Sequence, residues 1–122
     1  MAAKAEAERR KQALVDAKGS LGEVGDRTLC VSYGDAARTA DKDLATIYRT
    51  EISRRKLPIK QGAGQGAKVK IGDSTCSVMA IMGSPNASNR TVAGGTEQMQ
   101  FVYRDLGIYI YTINGRVSAW QD

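Results

Sequence analysis

Apolar residues follow two different repeats along this chain. Residues 27–38, 42–56 and 73–83 carry apolar side chains at helical spacing, which predicts three helices. Residues 99–104, 107–113 and 116–120 instead alternate between two faces, which predicts three strands. The predicted order is therefore three helices followed by an antiparallel meander, without the strand–helix–strand units of a nucleotide-binding sheet.

Glycine-containing segments separate these elements. Asn114-Gly115 predicts a two-residue type I′ hairpin turn, and Asp105 to Gly107 forms the preceding turn. Residues 61–68, QGAGQGAK, have the composition of a flexible linker. Residues 86–98 are polar and contain glycine, and we interpret them as a connection between the last helix and the first strand.

The N-terminal segment differs from the rest. It is rich in Ala, Glu, Lys and Arg, which favour helix, but within residues 2–18 only Leu14 and Val15 are sizeable apolar residues. We therefore expect residues 1–25 to form a mobile charged arm or tether. Residues 26–60 would form a helical extension, and residues 69–122 a helix-plus-sheet domain.

The basic charge lies in the first half of the chain. The whole chain carries +5, with +6 in residues 1–70 and −1 in residues 71–122. A basic segment indicates either an acidic partner, such as nucleic acid, an anionic lipid surface or an acidic protein, or simply a solvated surface.

The residue types argue against an enzyme. The chain has no histidine and only two cysteines, too few for a zinc site without histidine. None of Ser74, Ser77 and Ser84 begins a Ser-x-x-Lys motif, and the glycines of residues 62–66 are not followed by Gly-Lys-Ser/Thr. We expect no catalytic site, no metal and no cofactor.

Both cysteines lie on predicted buried helix faces, Cys30 beside Leu29 and Tyr33, and Cys76 beside Met79. In an oxidising compartment they would form a disulfide bond. In a cytosolic protein they would remain two buried thiols.

The end of the second predicted helix is strongly basic. Its arginines could complement the helix C-terminus or contact an acidic partner, and the structural role is the favoured interpretation. The full set of candidate interaction residues is Arg49, Arg54, Arg55, Lys56, Asn89, Arg90 and Thr91.

Residues 69–122 resemble the BamE (SmpA/OmlA)-like outer-membrane lipoprotein domain family. The shared features, in order, are a short helix opening near Gly72, the stop Gly83-Ser84-Pro85, the element Asn89-Arg90-Thr91, the strand with Gly95, Glu97, Gln98 and Tyr103, and the hairpin Tyr109-x-Tyr111…Asn114-Gly115-x-Val117. The chain departs from the family at Asp73-Ser74 and Met99, and it has no lipid-attachment cysteine at its start. One interpretation is that Met1 replaces that cysteine.

The resemblance implies an α+β fold, with helices packed on one face of a three-stranded antiparallel meander sheet. It also implies a non-enzymatic envelope scaffold or adaptor that binds another protein. The expected location is the periplasm, with anchoring to the outer membrane in the native form, and the N-terminal arm could touch an anionic membrane surface. The alternative is a basic cytoplasmic protein of a phage or mobile element that binds nucleic acid or a host protein; nucleic acid is the less favoured partner.

Overall fold

Helices and strands form separate layers of an α+β fold. The structure is a computed structural model that describes residues 2–122 and, among the side chains of residues 2–13, only those of residues 8, 9 and 12. The helices are α1 (Ala2–Ser20), α2 (Asp26–Arg38), α3 (Lys42–Arg54) and α4 (Thr75–Met82). The strands are β1 (Ala87–Ala93), β2 (Thr96–Tyr103), β3 (Ile108–Ile113) and β4 (Arg116–Gln121), and short 3-10 turns cover Leu21–Glu23 and Arg104–Leu106.

The sheet has four strands, so the prediction of three strands was wrong. It is an antiparallel meander in the order β1-β2-β3-β4, and β1 pairs with β2 from Ala87↔Val102 to Ala93↔Thr96. Strand β1 is an edge strand whose polar side chains are mostly exposed, so it shows no apolar alternation. The sequence feature that could have predicted this strand is Gly94-Gly95, because both residues have positive φ and form the turn that connects β1 to β2.

The predicted hairpin at Asn114-Gly115 is confirmed. The two residues have φ of 49° and 80° and join β3 to β4 in antiparallel pairing. Positive φ at both central positions is the requirement of a type I′ turn.

Local capping explains where the helices begin and end. The Asp41 carboxylate accepts a hydrogen bond from Leu44 N (3.2 Å) at the start of α3, and Ser74 accepts one from Ser77 N (3.2 Å) at the start of α4. Helix α3 ends before Pro58, because Lys56 adopts φ of 58° and the Leu57 amide turns back to Ile52 O (3.1 Å).

The core lies between the helices and one face of the sheet. Its fully buried side chains include Leu29 of α2, Ile52 of α3, Met79 of α4, and Phe101 and Ile110 of the sheet. Burying one such side chain stabilises the fold by about 1.5–3 kcal/mol. The core therefore draws on every helix after α1.

Helices α2 and α4 cross at very short range. A Cβ added at Gly34 would lie 2.1 Å from the Ala80 carbonyl oxygen, so glycine is required there. Residues 61–67 pack on the same helix: Ala63 is buried, and a Cβ at Gly64 would lie 2.5 Å from Ala37 Cβ. The structure thus differs from the interpretation as a flexible linker at Ala63 and Gly64, which pack on α2, while Gly62 and Gly66 serve turns with positive φ.

The N-terminal helix leads directly into the core. Its Val15 is exposed, whereas Leu21 in the following turn is only 8% exposed and belongs to the core cluster. The assignment of residues 1–25 to a mobile arm stays a prediction, and Met1 lies outside the described residues. Within residues 2–122, no helix combines the length and apolar character that a membrane span needs.

Candidate binding groove

A groove with a volume of about 560 Å³ opens between the helices and the sheet, at the sheet end that carries the Asn114-Gly115 turn. It lies beside the start of α2, the Leu57-Pro58 segment and the start of α4. Its volume falls within the range of about 300–1,000 Å³ that is usual for ligand sites.

The floor of the groove is apolar. Met99 and Phe101 stand two positions apart on β2 and therefore point to the same, helix-side face. The other part of the floor is the Cys30–Cys76 disulfide bond, whose Cα atoms are 5.3 Å apart. The predicted pairing of the two cysteines is thus confirmed, and it joins α2 to α4 beneath the groove.

Three of the charged side chains that line the groove, Asp26, Arg90 and Glu97, form ion pairs within the chain. Arg90 Nε lies 2.9 Å from Glu97 Oε2, and Asp26 Oδ1 lies 2.9 Å from Arg55 Nη1. Both contacts are intramolecular, so these groups contribute little net charge to the groove.

Two guanidinium groups at the groove have no carboxylate partner in the described part of the chain. Arg27 Nη1 donates a hydrogen bond to Ser88 Oγ (2.9 Å), and its Cζ lies 5.6 Å from the centre of the Phe101 ring. Arg116 Nη1 lies 3.4 Å from the Gly72 carbonyl oxygen, a long contact. The groove therefore combines an apolar floor with an excess of positive charge.

An ionic cluster around the buried Glu51 lies beside Asp26 at one side of the groove. Glu51 receives hydrogen bonds from Arg54 (2.7 and 2.6 Å) and from Arg55 (2.7 Å). These hydrogen bonds, first from Arg54 and then from Arg55, lower the pKa of Glu51 from 4.5 to about 2. Arg55 also donates to the carbonyl oxygens of Leu21 and Val24, both at 2.7 Å, and so ties α3 to the chain entering α2.

The structure separates the residues that the sequence analysis selected for interaction. Arg90, Cys30 and Cys76 line the groove. The others lie elsewhere: Arg54 and Arg55 bind Glu51, Arg49 lies over the Tyr33 ring at 6.0 Å, Lys56 is exposed at the end of α3, and Asn89 and Thr91 point to the opposite side of β1.

The sequence analysis missed four residues that define the groove: Arg27, Met99, Phe101 and Arg116. The alternation in β2 predicted that Met99 and Phe101 share a face. Nothing in the local pattern places Arg27 against β1 or Arg116 against Gly72, because those contacts span 61 and 44 residues.

The opposite face of the sheet, which we call the open face, carries a row of polar side chains. Asn89 Nδ2 donates to Gln100 Oε1 (2.9 Å), Gln100 Nε2 donates to the Tyr111 hydroxyl (3.3 Å), and that hydroxyl donates to Gln121 Oε1 (3.2 Å). Each residue of the row thus forms a hydrogen bond with a residue on the neighbouring strand.

Comparisons with known proteins identify no relative. No protein-family model, curated protein or solved structure matches this chain. Within the described residues, no group of three or more His, Cys, Asp or Glu side chains is arranged to hold a metal ion.

Proposed function

We propose that this chain is a non-enzymatic adaptor of the cell envelope that binds another protein through the groove. The observation that carries the proposal is the combination of an apolar floor, where Met99 is partly exposed beside the fully buried Phe101, with two guanidinium groups, Arg27 and Arg116, that have no carboxylate partner within residues 2–122. Arginine beside buried apolar side chains is typical of the central part of protein interfaces.

The disulfide bond supports the envelope part of the proposal. Cys30 and Cys76 are the only cysteines of the chain, and they are bonded to each other. Disulfide bonds persist in oxidising compartments and are rare in cytosolic proteins. The resemblance of residues 69–122 to the BamE-like family points to the same compartment, and its partner would then be another envelope component.

Site-specific crosslinking tests the proposal. A photoreactive phenylalanine at Pro58, on the exposed rim of the groove, should crosslink to a protein partner in cells; the same group at Thr50, on the exposed face of α3, should not. The captured protein should then bind the purified wild-type chain and bind the Arg27→Gln/Arg116→Gln variant more weakly.

Two outcomes would contradict the proposal. One is a purified partner that binds the double variant as well as the wild type. The other is crosslinking from Pro58 to nucleic acid, which would favour the basic cytoplasmic alternative.

A further inference from the structure

We infer that the groove recognises an acidic peptide segment of its partner, with an apolar side chain held between two carboxylates. This inference rests on the proposed function and names the chemistry of the bound segment. It follows from the charge and the shape of the groove.

Arg27 is oriented for a carboxylate before any ligand arrives. The hydrogen bond to Ser88 Oγ and the contact with the Phe101 ring hold its guanidinium group beside strands β1 and β2. A fixed guanidinium can bind both oxygens of a carboxylate with two parallel hydrogen bonds. Less conformational freedom is then lost on binding than with a free surface arginine.

Arg116 provides a second cation. It begins β4 directly after the Asn114-Gly115 turn, and its guanidinium has only the long contact to Gly72 O. The remaining charges at the groove are already matched, Arg90 with Glu97 and Asp26 with Arg55. The unmatched charge is therefore positive, and an anionic ligand complements it.

The floor requires an apolar group in the same ligand. Met99 is partly buried, while Phe101 and the disulfide bond are buried beneath it, so the floor offers no hydrogen bond to a polar ligand. A volume of about 560 Å³ admits one or two side chains of a peptide rather than a folded domain.

A nucleic acid strand fits the groove poorly. The aromatic ring at the floor, Phe101, has no exposed surface, and the Arg27 guanidinium lies over it. The groove thus lacks the exposed aromatic platform on which unpaired bases stack.

Calorimetry with three capped peptides tests the inference. The first is acetyl-Gly-Glu-Leu-Phe-Glu-Gly-amide, the second has Gln in place of both Glu, and the third has Ser in place of Leu and Phe. The first should bind, and each of the others should bind at least about tenfold more weakly, the effect of losing one charge-assisted hydrogen bond or one buried side chain.

Protein variants assign the effect to the two arginines. Arg27→Gln and Arg116→Gln should each weaken the first peptide by about tenfold, and Arg116→Lys should retain part of the affinity because it keeps the charge. Arg49→Gln, on α3 away from the groove, is the matched control and should bind like the wild type. Circular dichroism checks that every variant is folded.

Equal binding of the acidic and neutral peptides would overturn the inference. So would competition for the groove by single-stranded DNA or anionic lipid vesicles that displaces the peptide. The crosslinking test separates this failure from failure of the proposed function: a partner crosslinked at Pro58 through a neutral or basic segment would leave the adaptor function intact and refute only the acidic segment.

Discussion

The open face of the sheet and the groove differ in how far their polar side chains are paired. On the open face, the row from Asn89 through Gln100 and Tyr111 to Gln121 forms hydrogen bonds within itself. At the groove, Arg27 and Arg116 have no carboxylate partner in the described chain. Arg27 lies on the helix side of the sheet, whereas Arg116 pairs with Ile113 and lines the groove from the end of the sheet.

This difference indicates which face is available for binding. A ligand on the open face would have to replace hydrogen bonds that already exist, with little net gain. A carboxylate in the groove would instead meet guanidinium groups whose capacity for charge-assisted hydrogen bonds is unused. Exposed apolar side chains alone do not decide the matter, because the open face also exposes Tyr109 and Ile113.

Removing the core side chain beneath the groove should have the largest effect. Phe101 is fully buried, so Phe101→Ala should lower the free energy of unfolding by about 3–5 kcal/mol. Ile113→Ala on the open face, where the side chain is 42% exposed, should cost less than about 1.5 kcal/mol by the same reasoning. Urea unfolding measures both values, and similar losses would contradict the assignment of the two faces.

Removing the disulfide bond should have the next largest effect. The bond closes a loop with a sequence separation of 46 residues, so Cys30→Ala/Cys76→Ala should lower the free energy of unfolding by about 2–4 kcal/mol. The double variant should also bind the acidic peptide more weakly, since α2 and α4 are no longer joined beneath the groove. A reducing agent should lower the melting temperature of the wild type and leave that of the variant unchanged; an unaffected wild type would count against the bond.

One buried hydroxyl on the helix-side face should be replaceable with a gain in stability. Thr112 has no exposed surface, and within the described residues its Oγ1 has no hydrogen-bond partner. Thr112→Val removes the unsatisfied group and keeps the shape, so it should stabilise the protein by about 1 kcal/mol. A lower melting temperature would show that Oγ1 does have a partner. Tyr111→Phe on the open face is the contrasting variant, because it breaks two hydrogen bonds and should be mildly destabilising.

The loss of stability in acid should come from Glu51, in the ionic cluster beside the groove. The pKa of Glu51 is lowered from 4.5 to about 2 by its hydrogen bonds with Arg54 and Arg55, so its stabilising effect is complete above pH 4.5 and is lost as the pH falls toward 2. Glu51→Gln should therefore flatten that part of the stability curve. Urea unfolding across this pH range measures the effect, with Glu23→Gln as the control; parallel curves for wild type and Glu51→Gln would contradict it.

How much of this molecule the sequence predicts depends on how local each feature is. Helices α2 to α4 and strands β2 to β4 follow from the spacing of apolar residues, because each buries one continuous face. Strand β1 could not be predicted in this way, because the side chains of the edge strand Ala87–Ala93 are almost all exposed and show no apolar alternation. The groove depends on the packing of α2 against the sheet and on the order of the strands, which bring Arg27, Arg116 and Met99 to one site, and no local pattern encodes that arrangement.

The most direct test of the difference between the groove and the open face is a methyl NMR titration of the chain, labelled at Met and Val methyl groups, with the acidic peptide. Met99 lies on the floor of the groove, and Val102 lies on the open face, where it pairs with Ala87 and Tyr109. The account predicts that the Met99 methyl signal shifts on titration while the Val102 signals stay in place. A shift of Val102 without a shift of Met99 would place binding on the open face and contradict the account.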